Sequence, residues 1–202
     1  MIVVVRHGRT ASNAAGLLLG RADPPLDELG RRQAEQVAAA LGPVDRVVAS
    51  PLLRTRQTAA ALTGAPPEEV EVDDRLVELD YGAWDGRPVA EVAPEEWARW
   101  RSDLEWAPPG GESLAALGRR VRAALDELVP DAVGRTVVVV THVSPIKAAL
   151  AWALRVGDEV AWRCFVPPAA IMRVEVRGDA RRSERSLLTF GETAHLSGQG
   201  SP

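Results

Sequence analysis

Arg6, His7, Arg54 and His142 are the side chains of this sequence best suited to chemistry on an anion. Arg6-His7-Gly8 stands directly behind the run Ile2-Val3-Val4-Val5. Arg54 lies just past Ala49-Ser50-Pro51, where a weaker apolar run from Val44 ends. His142 follows Thr136-Val137-Val138-Val139-Val140-Thr141. A guanidinium stays charged at any working pH and offers donors in a fork. A neutral imidazole offers a nucleophilic nitrogen. The chain has three histidines, and two of them occupy such positions. Cations and imidazoles of this kind, brought to one place, suit a phosphate group.

They meet only if the apolar runs are neighbouring strands. A short β-branched run bounded by breakers reads as a strand buried on both faces, as in a parallel sheet under helices. Residues 2–5 and 136–141 fit this strongly; Val44 to Ala49 and Val70 to Val72 fit it weakly. Between them, Ala34, Val37, Ala38 and Leu41 share one face of a helix over Glu28 to Leu41. Leu114, Leu117, Val121, Leu125 and Leu128 do the same over Ser113 to Val129. Strands alternating with helices predict a three-layer α/β/α sandwich with a mainly parallel central sheet. Near the C-terminus, residues 170–177 alternate, a polar turn spans Gly178 to Arg185, and Ser186 to Phe190 follows. This predicts an antiparallel hairpin at the sheet edge.

In open α/β sheets ligands bind beyond the carboxyl ends of the strands, and helix N-termini there suit phosphate. Ser50-Pro51 and Ser144-Pro145 both read as an N-cap followed by proline at the first helical position. Arg54 would then project from the first turns of one helix. Lys147, the only lysine, would sit near the third position of another.

The bulk numbers narrow the partners. A chain of 202 residues with 46% hydrophobic and 26% charged residues suits one ordinary globular domain, expected over 1–196, with 197–202 as a disordered tail. A net charge of −4 gives no general attraction to nucleic acid or anionic membrane, so an anion must be bound by a local cluster. No apolar stretch approaches the roughly 20 residues that span a bilayer. Cys164 stands alone, which excludes an intrachain disulfide and fits a reducing compartment. With no signal-peptide pattern at Met1 to Arg6, a cytoplasmic location is expected.

The chain resembles the histidine phosphatase superfamily, the phosphoglycerate-mutase-like group, in its shorter, phosphatase-rich branch 1. The matching stretches are Arg6-His7-Gly8-Arg9-Thr10 with Asn13, Gly20 with Asp23 and Leu26, and Ser50-Pro51-Leu52-Leu53-Arg54. Residues 78–86, Gly111-Glu112-Ser113 and Thr141-His142 complete the set, in family order over some three quarters of the chain. Leu19 departs from the pattern, standing where many relatives carry a polar residue.

The resemblance implies that His7 attacks phosphorus and that Arg6, Arg54 and His142 hold the phosphoryl oxygens. It implies Glu78 as the general acid and base, with Asp80 and Asp85 as nearby competitors. Asn13, Gly20 and the Val143 backbone N–H are the further phosphate or substrate contacts. The chemistry agrees: phosphoryl transfer needs positioning and charge stabilisation of the equatorial oxygens. One carboxyl can protonate the leaving alkoxide and later deprotonate water. Gly8 would leave the approach to His7 open. Neither cofactor nor metal is expected; the third histidine, His195, stands in a polar stretch without ligand spacing and is expected to be exposed.

The partner implied is a small phosphorylated metabolite, with the protein a monomer or homodimer. Family members act on phosphosugars, phosphoglycerate derivatives, α-ribazole phosphate and phosphoproteins. A phosphoglycerate mutase is the nearest alternative, disfavoured because such mutases typically carry extra pocket-covering segments. A non-catalytic phospho-ligand binding module on the same fold is the other. Trp84, Trp97, Trp100 and Trp106, four of six tryptophans, fall between Tyr81 and Pro109. Residues 81–110 therefore read either as a lid over the leaving group or as a satellite core. Lys147 is a candidate for holding a second anionic group.

Overall fold

The computed structural model describes residues 1–178 and 184–196. Five strands, β1 (Ile2–Arg6), β2 (Arg46–Ala49), β3 (Val137–Thr141), β4 (Ile171–Arg177) and β5 (Glu184–Glu192), form one sheet in the order β2-β3-β1-β4-β5. β1 and β2 flank β3 in parallel, and β4 and β5 continue antiparallel at the other edge. The helices are α1 (Ala11–Ala14), α2 (Glu28–Leu41), α3 (Leu53–Thr63), α4 (Pro94–Ser102), α5 (Leu114–Ala132) and α6 (Val143–Leu154).

The period-two geometry of the strands sorts their side chains into two cores. Val3, Val5, Val47, Ala49, Val138 and Val140 face Val37 of α2 and Ala59 of α3. Ile2, Val4, Val48, Val137, Val139, Met172 and Val174 face the apolar stripes of α5 and α6. The three predicted layers are therefore present. α2 begins where Asp27 accepts the Gly30 N–H at 2.7 Å, and α5 where Ser113 accepts that of Ala116 at 3.1 Å.

Three expectations are corrected. Val70 to Val72 is no strand; it makes a single parallel bridge, Val72 to Ala49, on the outer edge of β2. Ser50 and Ser144 cap no helix: α3 starts after Leu52 and α6 after His142, neither with a side-chain cap. The hairpin is present as β4 and β5, while residues 179–183 of its turn and the 197–202 tail lie outside the described residues. Among the described residues no helix is long and apolar enough to cross a membrane.

The tryptophans belong to the core. Trp84 and Trp100 are 1% and 3% exposed and pack in the same cluster as the α5 stripe. Trp84 lies 5.6 Å from Trp100 and Trp106, and Trp100 lies 5.0 Å from Trp162, between ring centroids. Rings so enclosed leave little surface to cover a ligand, which favours the satellite-core reading. Trp100 meets Tyr81 edge-on at 5.9 Å, linking this aromatic block to the start of α6 through Tyr81 Oη, 3.5 Å from Ser144 Oγ.

Candidate active site

The strand register brings the three predicted ends level. Arg6 pairs with Thr141 and Ala49 with Val140. The next amides continue the ladder: His7 N–H donates to Thr141 O and Ser50 N–H to Val140 O, both at 2.9 Å. His7 and His142 therefore meet edge-on, their rings 5.1 Å apart. The chain leaves β1 past Gly8, where an added Cβ would strike the carbonyl of Gly30 in the first turn of α2. Glycine at this position thus makes room for a helix; the expectation that it opens the approach to the imidazole is replaced.

His7 Nδ1 lies 2.7 Å from the Gly8 carbonyl, so it carries the proton and Nε2 keeps the lone pair. Burial, reinforced by the charges of Arg6 and Arg54, holds its pKa well below the usual imidazole range. A neutral ring with a free Nε2 is what a nucleophile requires. Arg6 is buried, donates through one terminal nitrogen to Val166 O at 2.6 Å, and leaves its Nε without a partner. Burial lowers its pKa to about 10, with Glu78 opposing the shift.

Arg54 is completely buried. Its guanidinium donates to Gly20 O (2.9 Å), Ala22 O (2.7 Å) and His142 Nδ1 (3.2 Å). Because His142 Nδ1 accepts, its Nε2 carries the proton, donated to Ser50 Oγ at 2.7 Å. Burial, then the charge of Arg54, keeps this ring neutral too. His142 is thus brought to the centre as predicted, with both nitrogens engaged by Arg54 and Ser50.

Glu78 is 3% exposed and sits at the α6 N-terminus, its charge acting on Arg6. Its carboxylate accepts from Leu79 N (2.7 Å), Val143 N (3.1 Å) and Ser144 N (3.2 Å). Glu78 therefore does for α6 what Ser144 was expected to do, and the Val143 N–H is directed to it. Asn13 accepts the Thr10 N–H through Oδ1 at 3.1 Å, capping α1. Gly20 fits because a Cβ there would lie 2.8 Å from Leu79 O. Leu19 is buried.

Several supporting roles were not read from sequence. Asp85, a competitor for the acid, has its oxygens taken by the N–H groups of Gly20, Arg21 and Ala22 at 2.8–2.9 Å. Arg120 on α5 donates to the carbonyls of Arg75, Val77 and Glu78 and forms a fork with Glu112. Thr141 Oγ1 donates to Leu76 O at 2.6 Å. Glu112 stood in a matched motif, but nothing in the α5 pattern singled out Arg120. Lys147 is the fifth residue of α6, on the face of Val143 and Ser144, within Coulombic reach of Cys164, Glu78 and Arg6; burial lowers its pKa. Among the described residues no group of three or more His, Cys, Asp or Glu is placed to hold a metal ion.

A family model described as histidine phosphatase superfamily (branch 1) matches residues 2–188. A bifunctional protein of Mycobacterium tuberculosis is 40% identical over 196 residues, covering 94% of this chain and 54% of its own length. The chain thus spans about half the length of that relative. Phosphoserine phosphatase 1 of Hydrogenobacter thermophilus is 36% identical, covering 96% of this chain and 93% of its own. A Yersinia pestis protein named "Probable phosphoglycerate mutase" is 33% identical over 96% of this chain and 94% of its own. Among solved structures, the mycobacterial glucosyl-3-phosphoglycerate phosphatase superposes with a TM-score of 0.84 at 30% identity, covering 95% of this chain and 98% of that one.

Proposed function

Because the chain belongs to branch 1 of the histidine phosphatase superfamily, we propose that it hydrolyses a small phosphomonoester through a phosphohistidine on His7. The observation that carries this reading is the His7 ring, its Nδ1 proton fixed on Gly8 O and its Nε2 free beside two buried arginines. Nε2 attacks phosphorus as the ester oxygen leaves, and that oxygen takes the proton of Glu78, which enters this step as the carboxylic acid and leaves it as the carboxylate. Arg6, whose Nε has no partner, and Arg54 carry the charge of the equatorial oxygens. His142 holds Arg54, Asn13 and Gly20 border the phosphate, and the Val143 amide, turned to Glu78, holds the acid. Glu78 then takes a proton from water as it cleaves the phosphohistidine, releasing phosphate and restoring His7.

The substrate is a small metabolite carrying a second anion. Lys147 supports this, a cation near Arg6 and Glu78 with no carboxylate in ion-pair contact among the described residues. Phosphoserine and glucosyl-3-phosphoglycerate, named for two similar proteins, both carry a carboxylate near the ester. Lys147→Met is expected to raise KM for phosphoserine by about ten-fold, the scale of one charge-assisted hydrogen bond, and leave KM for 4-nitrophenyl phosphate unchanged. Equal KM for phosphoserine in both proteins would exclude Lys147 as its carboxylate contact.

Incubation with phosphoserine, 3-phosphoglycerate and 4-nitrophenyl phosphate tests the reaction itself. Phosphate should be released, with an acid-labile phosphoenzyme in wild type that His7→Ala lacks. Conversion of 3- to 2-phosphoglycerate without phosphate release, with 2,3-bisphosphoglycerate added to supply the first phosphoryl group, would make the protein a mutase. Tight phosphate binding without turnover would make it a binding module.

A further inference from the structure

Behind the nucleophile lies a backbone bracket, Val166 to Ala170, between the last 3-10 turn and β4. Val166 O accepts the Arg6 guanidinium at 2.6 Å, and Ala170 O accepts the Arg6 N–H at 3.0 Å. Ala169 N–H donates to His7 O at 3.1 Å. Ala169 is fully buried and has φ 58°, one of two non-glycine residues with a left-handed φ among the described residues. An alanine keeps that conformation only where its neighbours hold it.

Locally it is the third residue of a turn that Ala170 N–H closes on Pro167 O at 3.1 Å, and a second support comes from the segment after β5. After β5 the backbone turns, with Leu196 N–H on Thr193 O at 2.9 Å, and Leu196 packs onto the core around Val3, Val5 and Val140. His195, expected to be exposed, is instead half-buried with Nε2 3.1 Å from Ala169 O. The acceptor is a carbonyl, so Nε2 carries the proton. Three hydrogen bonds therefore run in series: His195 to Ala169, Ala169 to His7, and His7 Nδ1 to Gly8.

We propose that His195 is a positioning residue for the nucleophile, pinning the left-handed corner at Ala169 whose N–H fixes the His7 backbone. This rests on His7 being the nucleophile. In-line attack tolerates little displacement, so loosening the bracket lowers the rate of attack and leaves phosphate binding largely alone. Arg173 on β4 and Glu192 on β5, whose charges act on His195, are paired with each other at 3.3 Å.

The test compares His195→Leu, which fills the space without a donor, with His195→Gln, whose amide restores one. With 4-nitrophenyl phosphate, His195→Leu is expected to lower kcat/KM about ten-fold with the inhibition constant of inorganic phosphate within about two-fold, a part of what an ångström of misplacement costs. His195→Gln should recover most of it at a similar melting temperature. Hydrogen exchange at the Ala169 amide should be faster in His195→Leu and near wild type in His195→Gln. Unchanged kcat/KM or unchanged exchange in His195→Leu, or equal loss in both variants, would overturn the proposal. If wild type forms no phosphoenzyme, the nucleophile reading fails separately, and the exchange data alone decide whether His195 pins the bracket.

Discussion

Arg54→Met is expected to lower kcat/KM for any phosphomonoester by at least about a hundred- to a thousand-fold, the loss typical of deleting one preorganised donor to a developing anion. The effect should exceed that of removing an exposed arginine because this side chain is completely buried and its nearest carboxylate, on Asp23, is 3.9 Å away. A desolvated cation without a close counter-ion is costly to the folded protein, and burial lowers its pKa accordingly. An arriving phosphate relieves that cost. Substitution also frees Gly20 O, Ala22 O and His142 Nδ1 from their donor. On stability, the removed charge and the orphaned acceptors act in opposite directions, so lost turnover should far outrun lost folded protein. Thermal unfolding beside steady-state kinetics separates the two, and a variant within ten-fold of wild type would take Arg54 out of the transition state.

Arg54 also marks where sequence reading stopped. That three apolar runs end in Arg-His, Ser-Pro and Thr-His was legible, and so was the layered fold, because runs and periodicity are local signals. The register that pairs Arg6 with Thr141 and Ala49 with Val140 follows from them once the strands are neighbours. The partners of each side chain were not legible, since they are hydrogen bonds between distant segments. Ser50 looked like a cap because a cap is the local use of Ser-Pro, yet its hydroxyl serves His142, 92 residues away. Asp85 looked like a spare acid, although three amides of the 20–22 loop occupy it. His195 was read as exposed because its neighbours are polar; its acceptor, 26 residues earlier, is invisible to that reasoning. The tryptophan spacing left core and lid equally open, and the burial of Trp84 and Trp100 favours the core.

Glu78→Gln is expected to split the substrates. Formation of the phosphoenzyme is reported by kcat/KM, its hydrolysis by kcat whenever hydrolysis is slow. For an alkyl ester such as phosphoserine the leaving oxygen needs a proton, so kcat/KM should fall by about a hundred-fold or more, the usual worth of a positioned acid. For 4-nitrophenyl phosphate, whose leaving group needs little protonation, kcat/KM should fall far less. Its kcat should still drop, because water attacking the phosphohistidine loses its base. The rapid-quench trace would then show a preserved burst followed by a slow steady state, and with phosphoserine no burst. The scaffold should survive the change: Arg120 and Thr141 hold the loop by backbone carbonyls that the substitution leaves alone. The amide oxygen can keep one of the Leu79, Val143 and Ser144 donors, while its NH2 opposes another, a modest cost at the start of α6. Equal losses of kcat/KM on both esters would move the acid elsewhere. Asp80 would be the candidate, because among the described residues its carboxylate accepts only from Gly82 N at 2.8 Å and faces Arg21 at 3.8 Å, whereas Asp85 is engaged by three amides.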